Sequence, residues 1–125
     1  MKPFSNEAYY LFFSTLGNRT RLAIIDVLSE GSRTLAEISK ALDQDEKTIA
    51  HNLKFLEGCM IVTSQKPRKG EKRYSLNKEI VEPLSEILSF HVSKYCPGLE
   101  KCIPPKKLKE YLKQEAAKTT YIEHG

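Results

Sequence analysis

The chain has 125 residues, 40% hydrophobic and 29% charged, with 20 lysines and arginines against 16 acids and a formal net charge of +4. That length suits one small domain with a modest core, and no apolar run reaches the roughly 20 residues needed to cross a bilayer. A P-loop, a Gly-x-Gly-x-x-Gly turn and a His-Glu-x-x-His helix are all absent from the sequence, so the chain is not expected to be an enzyme.

The N-terminal stretch MKPFSNEAYYLFF lacks the cationic start, continuous apolar core and cleavage site of a signal peptide. Three cysteines without a secretion signal do not make a disulfide framework, so a reducing cytoplasm is the expected compartment. Residues 6–16 predict a first helix carrying Tyr9, Leu11, Phe12, Phe13 and Leu16, more apolar surface than an exposed helix should carry. Asn18 is placed to cap a second helix with an inward face of Leu22, Ile24, Ile25, Val27 and Leu28, and Gly31 is placed to end it. Thr34 followed by Glu37 is a capping-box pattern for a short third helix whose inward stripe is Leu35, Ile38 and Leu42. After the turn Asp43-Gln44, Asp45 caps a fourth helix of about residues 46–57 with Ile49, Leu53 and Leu56 inside. Two short helices joined by a tight turn predict a helix-turn-helix.

Met60 to Ser64 and Tyr74 to Leu76 suit the arms of a β-hairpin, with Pro67 and Gly70 turning the loop between them. That loop, residues 66–73, holds five bases against one acid and so equals the net charge of the whole chain; the remaining fifteen bases and fifteen acids cancel. So compact a basic segment points to a polyanionic partner. Pro83 fits the first turn of a fifth helix bearing Leu84, Ile87, Leu88, His91, Val92 and Tyr95, and Pro97-Gly98 stops it. Lys106 to Lys118 could form a sixth helix only with something to lie on. The expected fold class is mainly α with a small β-hairpin (α+β): a winged helix-turn-helix domain over residues 1–95, followed by a cysteine-containing loop, a short helix and a loose tail over 96–125.

This order of elements resembles the arsenic-repressor (ArsR) family of winged-helix transcription regulators. Three stretches carry the resemblance: Leu16-Gly17-Asn18-Arg19-Thr20-Arg21-Leu22 at the entry to the second helix, Lys47 to Leu56 as the recognition helix, and Arg73-Tyr74-Ser75-Leu76 as the second strand of the wing. The resemblance in element order covers about residues 9–95. One departure is Met60, where the family has glycine between recognition helix and wing; Gly58, two residues earlier, is the residue expected to do that job. The resemblance implies a homodimer paired through the first and last helices, and the apolar excess at Tyr9, Phe12, Phe13, Leu84, Leu88, Val92 and Tyr95 asks for the same.

With Ile49, Leu53 and Leu56 inward, Lys47, Thr48, His51, Asn52 and Lys54 are expected on the outer faces of the recognition helix. The amide of Asn52 can pair with adenine or bond to the local backbone instead, Lys47 can donate to guanine, and Thr48 and His51 can meet bases or phosphates, in the major groove of double-stranded DNA. Lys66, Arg68, Lys69, Lys72 and Arg73 on the wing suit phosphate oxygens or the minor groove, and would give grip without reading sequence. For an effector, the family's metal patterns are poorly matched. His91 stands alone on an apolar face. Cys96 and Cys102 lie about 9 Å apart if helical, and the Pro-Gly break frees them to approach. They could form a reversible disulfide, hold a soft metal with His91, or be plain loop thiols. The fold itself requires no cofactor. The expected function is therefore a homodimeric, sequence-specific DNA-binding repressor. The competing readings are a winged-helix protein-interaction module, against which the basic wing argues, and a sequence-independent nucleic-acid binder, which would be more basic overall.

Overall fold

The computed structural model describes residues 3–95. A 3-10 turn at Pro3–Ser5 leads into α1 (Glu7–Leu16), α2 (Arg19–Leu28), β1 (Arg33–Thr34), α3 (Leu35–Leu42) and α4 (Glu46–Gly58). Then come β2 (Val62–Gln65), β3 (Arg73–Leu76) and α5 (Lys78–Tyr95). The helices plus a small antiparallel sheet make a winged helix-turn-helix. Two compact units divide between Ile80 and Val81, and each is described by itself.

The starts of α1 to α4 each have a side-chain acceptor for an otherwise unpaired N–H. Asn6 accepts from Ala8 N–H at 2.8 Å, and Asn18 accepts from Arg21 N–H at 3.0 Å. Thr34 and Glu37 form the expected capping box: the Thr34 hydroxyl accepts from Glu37 N–H at 3.2 Å, and the Glu37 carboxylate accepts from Thr34 N–H at 2.9 Å. Asp45 accepts the Thr48 amide at 3.3 Å and the Thr48 hydroxyl at 2.6 Å. Ile24 of α2, Ile38 of α3 and Ile49, Leu53 and Leu56 of α4 meet in one core with Val62 of β2 and Ile61 just before it, all under 2% exposed. Leu22 differs from expectation: the stripe of α2 runs through Ala23, Ile24, Val27 and Leu28, a rotation that leaves Leu22 half exposed.

The sheet has three strands in the order β1-β3-β2, one more than the expected hairpin. β3 pairs with β2 through Val62↔Leu76 to Gln65↔Arg73, and with β1 through Arg33↔Tyr74 and Thr34↔Arg73. Gly31, expected at the end of α2, instead serves the turn into β1. The helix closes at Ser29, and Gly31 takes φ +140°, a region that side chains rarely enter. In α5 the expected position of Pro83 is also corrected. The helix begins at Lys78, with Ile80 N–H bonded to the Asn77 carbonyl at 3.1 Å, so Pro83 lies in the second turn and deprives the Glu79 carbonyl of its usual partner. No residue of α5 is fully buried, and Ile87, Leu88, Phe90, Val92 and Tyr95 are all exposed. Among the described residues no helix is long and apolar enough to cross a membrane.

Both ends that frame the helix-turn-helix use the same closing geometry. After α3, Gln44 N–H reaches the Ser39 carbonyl at 3.1 Å and Asp43 N–H reaches Lys40 at 3.3 Å, with Asp43 left-handed at φ +52°. After α4, Ile61 N–H reaches the Leu56 carbonyl and Met60 N–H reaches the Glu57 carbonyl, each at 3.0 Å, with Met60 left-handed at φ +59°. Ile61 and Leu56 are both fully buried, as that motif favours. Gly58 does not take the turn expected of it: it is the last residue of α4, and Met60 takes the left-handed turn itself. A left-handed L-residue costs about 1–2 kcal/mol, partly offset by the unfolded-state freedom a glycine would add. Met60→Gly should therefore raise stability by up to about 1 kcal/mol. Gly58→Ala, whose added Cβ meets nothing within 4 Å, should raise it by a similar or smaller amount. A rise in urea midpoint at unchanged m-value checks each.

Candidate nucleic-acid interface

The orientation of α4 follows from its buried stripe, and the outer surface carries exposed Lys47, Thr48, His51 and Lys54, as expected. Lys47, His51 and Phe55 are four residues apart and so lie along one side of the helix. Thr48 is exposed, but its hydroxyl proton is directed to Asp45, which leaves its lone pairs outward.

Asn52 is a correction. Expected on the outer face, it is 7% exposed and its amide is used inside the protein. Its Nδ2 donates to the Thr48 carbonyl at 2.9 Å, and its Oδ1 accepts Arg21 Nε–H at 3.0 Å. Its amide is turned to the interior and bonded there, so it does not lie on the outer face as expected. Helical spacing puts residue 52 beside 49 and 56, and the arginine of α2 supplies the charged donor that makes the inward position favourable.

Two residues of this surface were missed from the sequence. Phe55 is 43% exposed on α4. Arg21 lies over its ring at 4.0 Å, and the His51 ring meets it edge-on with centroids 5.1 Å apart. Phe55 was legible as the i+4 neighbour of His51. Arg21 stood in the quoted motif, but nothing in its spacing told that it would cross to α4.

The wing places its cations in two groups. Lys66, Arg68 and Lys69 are exposed in the loop, and no hydrogen bond or ion pair among the described residues holds their side chains. Lys72 lies over the Tyr74 ring at 5.3 Å. Arg73 is held within the protein: Nε donates to the Ser32 hydroxyl at 3.1 Å, Nη2 to the Ser32 carbonyl at 2.9 Å, and Nη1 lies 3.6 Å from Glu37. An open cleft of about 380 Å³ beside it is lined by Ser32, Gln65, Lys66, Pro67, Arg73 and Ser75.

Elsewhere, Tyr9 and Phe13 of α1 are exposed and Phe12 is half-buried, with the two phenylalanine rings edge to face at 5.6 Å. On α5, Leu84 is half-buried, and His91 is exposed with its ring 5.5 Å from that of Tyr95. Cys59, at the end of α4, is half-buried, with Sγ 3.4 Å from the Thr15 hydroxyl. Cys96 and Cys102 lie outside the described residues, as does the expected sixth helix. Among the described residues no three metal-binding side chains gather at one point.

The two capping carboxyls carry the clearest electrostatic signature. Bonds from the Thr34 amide, then its hydroxyl, hold Glu37 below the ordinary carboxylate range, with Arg73 adding to the effect. Bonds from the Thr48 hydroxyl and amide do the same for Asp45. A carboxyl whose pKa is lower folded than unfolded contributes stability above the unfolded value and loses it as pH falls through the folded one. The domain should therefore lose stability as pH drops below about 4. Asp45→Asn should lose less over that range, because its amide oxygen caps without titrating. Urea midpoints of the two proteins from about pH 6 to about pH 3 check this.

Residues 18–64 match a family model described as bacterial regulatory protein, arsR family. No curated protein matches the chain. Among solved structures, the solution structure of a homodimeric winged helix-turn-helix DNA-binding domain, Mb0332 from Mycobacterium bovis, described as a possible ArsR-family transcriptional regulator, is similar at 22% identity and a TM-score of 0.64. The match covers 72% of this chain and 82% of that one. The reduced form of the transcriptional regulator YodB from B. subtilis is 27% identical with a TM-score of 0.57, covering 72% of this chain and 94% of that one. HlyU from Vibrio cholerae is 22% identical with a TM-score of 0.60, covering 77% and 99%. The likenesses at 22% speak to the fold alone.

Proposed function

We propose, from the premise that residues 18–64 are a regulatory domain of the arsR family, that this chain is a sequence-specific DNA-binding transcription regulator. It works in the cytoplasm as a homodimer and, by family habit, as a repressor; its role is binding rather than catalysis. Residues 1–95 are the reading and pairing domain. The observation that carries the reading is the division of labour in the first unit. A helix clamped by its own core stripe shows Lys47, Thr48, His51 and Lys54 to solvent, and a hairpin loop shows Lys66, Arg68 and Lys69.

The helix face suits base edges and flanking phosphates in the major groove. The loop suits phosphate oxygens or the minor groove, where it adds grip on any sequence. Arg73 contributes to the wing chiefly by holding its strand in place, and Asn52 takes no base. The half-exposed aromatic and aliphatic residues of α1 and of α5 support pairing with a second copy through Tyr9, Phe12, Phe13, Leu84, Leu88, Val92 and Tyr95. A dimer would place two such helices about 34 Å apart on DNA.

Selection from a random duplex pool should return a palindrome with half-sites one helical turn apart. A pool recovered without any motif would sink the proposal. On the selected duplex, Lys66→Gln, Arg68→Gln and Lys69→Gln should each weaken binding of matched and scrambled DNA alike. A variant that removes a true phosphate contact should also flatten the plot of log affinity against log salt by about one unit. Fluorescence anisotropy over a salt series measures both.

A further inference from the structure

Arg21 joins three elements with one side chain. From α2 its Nε donates to Asn52 Oδ1 at 3.0 Å, its Nη1 donates to the Thr15 carbonyl in the last turns of α1 at 3.3 Å, and its flat face covers the Phe55 ring at 4.0 Å. Each of its two partners on α4 is in turn tied to a residue of the outward face. Asn52 donates to the Thr48 carbonyl at 2.9 Å, and the Phe55 ring meets His51 edge-on at 5.1 Å with the planes 80° apart. The arginine thus stands one step behind two of the side chains read as facing DNA.

We propose that Arg21 is a positioning residue for sequence recognition: its guanidinium fixes Asn52 and Phe55, and through them the backbone at Thr48 and the ring of His51. The inference rests on α4 being the recognition helix. Only a planar fork can make these contacts together, since a lysine ammonium is a point charge with no flat face. The core stripe sets which side of α4 faces outward, but it does not fix the ring of His51, which is exposed and meets the Phe55 ring edge-on. Asn52 would otherwise be a buried amide with an unmet acceptor, and Phe55 an exposed ring free to change rotamer.

The test uses the whole chain, the duplex selected from the random pool and a scrambled duplex of equal length. Arg21→Lys should lower the ratio of matched to scrambled affinity at least about tenfold, through weaker binding of the matched duplex, while scrambled binding and the salt slope stay as in the parent chain. Phe55→Leu, which removes the stack at a half-exposed position, should lower the ratio in the same direction and guards against a folding failure in the first variant. In the free protein, NMR signals of the His51 ring and the Thr48 region should shift in both variants. Three outcomes overturn the proposal: unshifted His51 signals, a lower thermal midpoint with the affinity ratio unchanged, or losses on both duplexes with the salt slope reduced by about one, which would make Arg21 a direct phosphate contact. If the parent chain shows no preference for any sequence, the regulator reading itself fails, and the His51 signals still report on the clamp.

Discussion

The rotation of α4 about its own axis is the constraint on which the rest depends. Ile49, Leu53 and Leu56 are each at most 1% exposed, and they fall on one side of a helix that turns about 100° per residue. A shift of one residue towards the C-terminus would bring Lys54 and Glu57 inward without partners and expose the aliphatic side chains, which the interior does not tolerate. The outer face is therefore a by-product of the inner one. The residues that meet solvent are those the core refuses, and the two left-handed ends at Asp43 and Met60 fix where that face begins and stops.

Two arginines finish what the core starts, and they do so differently. Arg21 works next to the core, where a half-buried guanidinium gains from hydrogen bonds in a reduced dielectric. Arg73 works at the surface and joins β3 to the turn at Ser32 and to the carboxylate that caps α3. Its exposed ion pair with Glu37 adds little by itself, as surface pairs usually do. The two bonds to Ser32 are the stronger constraint, since they share one planar group and fix its direction. Neither role follows from charge alone, which is why both arginines could be mistaken for ligand contacts.

Much of the fold was legible because its signals are local. Asn18, the Thr34-Glu37 pair and Asp45 name helix starts through bonds that span three residues, and the 3.6-residue period of α4 named its core. The hairpin was legible from two short runs around Pro67 and Gly70. What escaped depended on distant partners. β1 is two polar residues whose strand character comes from β3, about forty positions away. Asn52 turns inward because of Arg21, and Arg73 turns back because of Ser32, 31 and 41 positions apart respectively. Pro83 was assigned to a first turn because the helix start at Lys78 carries no strong capping signal. Met60 kept a left-handed turn that local rules reserve for glycine, since the bonds of Ile61 and Met60 back to α4 outweigh its strain. The candidate surface was legible in outline, with the outward lysines, threonine and histidine of α4 and the basic loop, but the network behind it was not.

Among the described residues, the wing loop is joined to the body through its two strands. Residues 66–72 are exposed throughout, and the strands on either side are secured by their own pairing, by Tyr74 in the core and by Arg73 at Ser32. Changes of length or charge at the tip therefore have almost no route into the core. If the loop grips DNA and α4 reads it, as proposed, a lineage carrying this fold can strengthen or weaken that grip by editing seven positions, while the choice of target, written on a helix locked to the interior, stays as it was. On that reading attraction and discrimination are separately adjustable traits, and the first can drift fast while the second is held by packing.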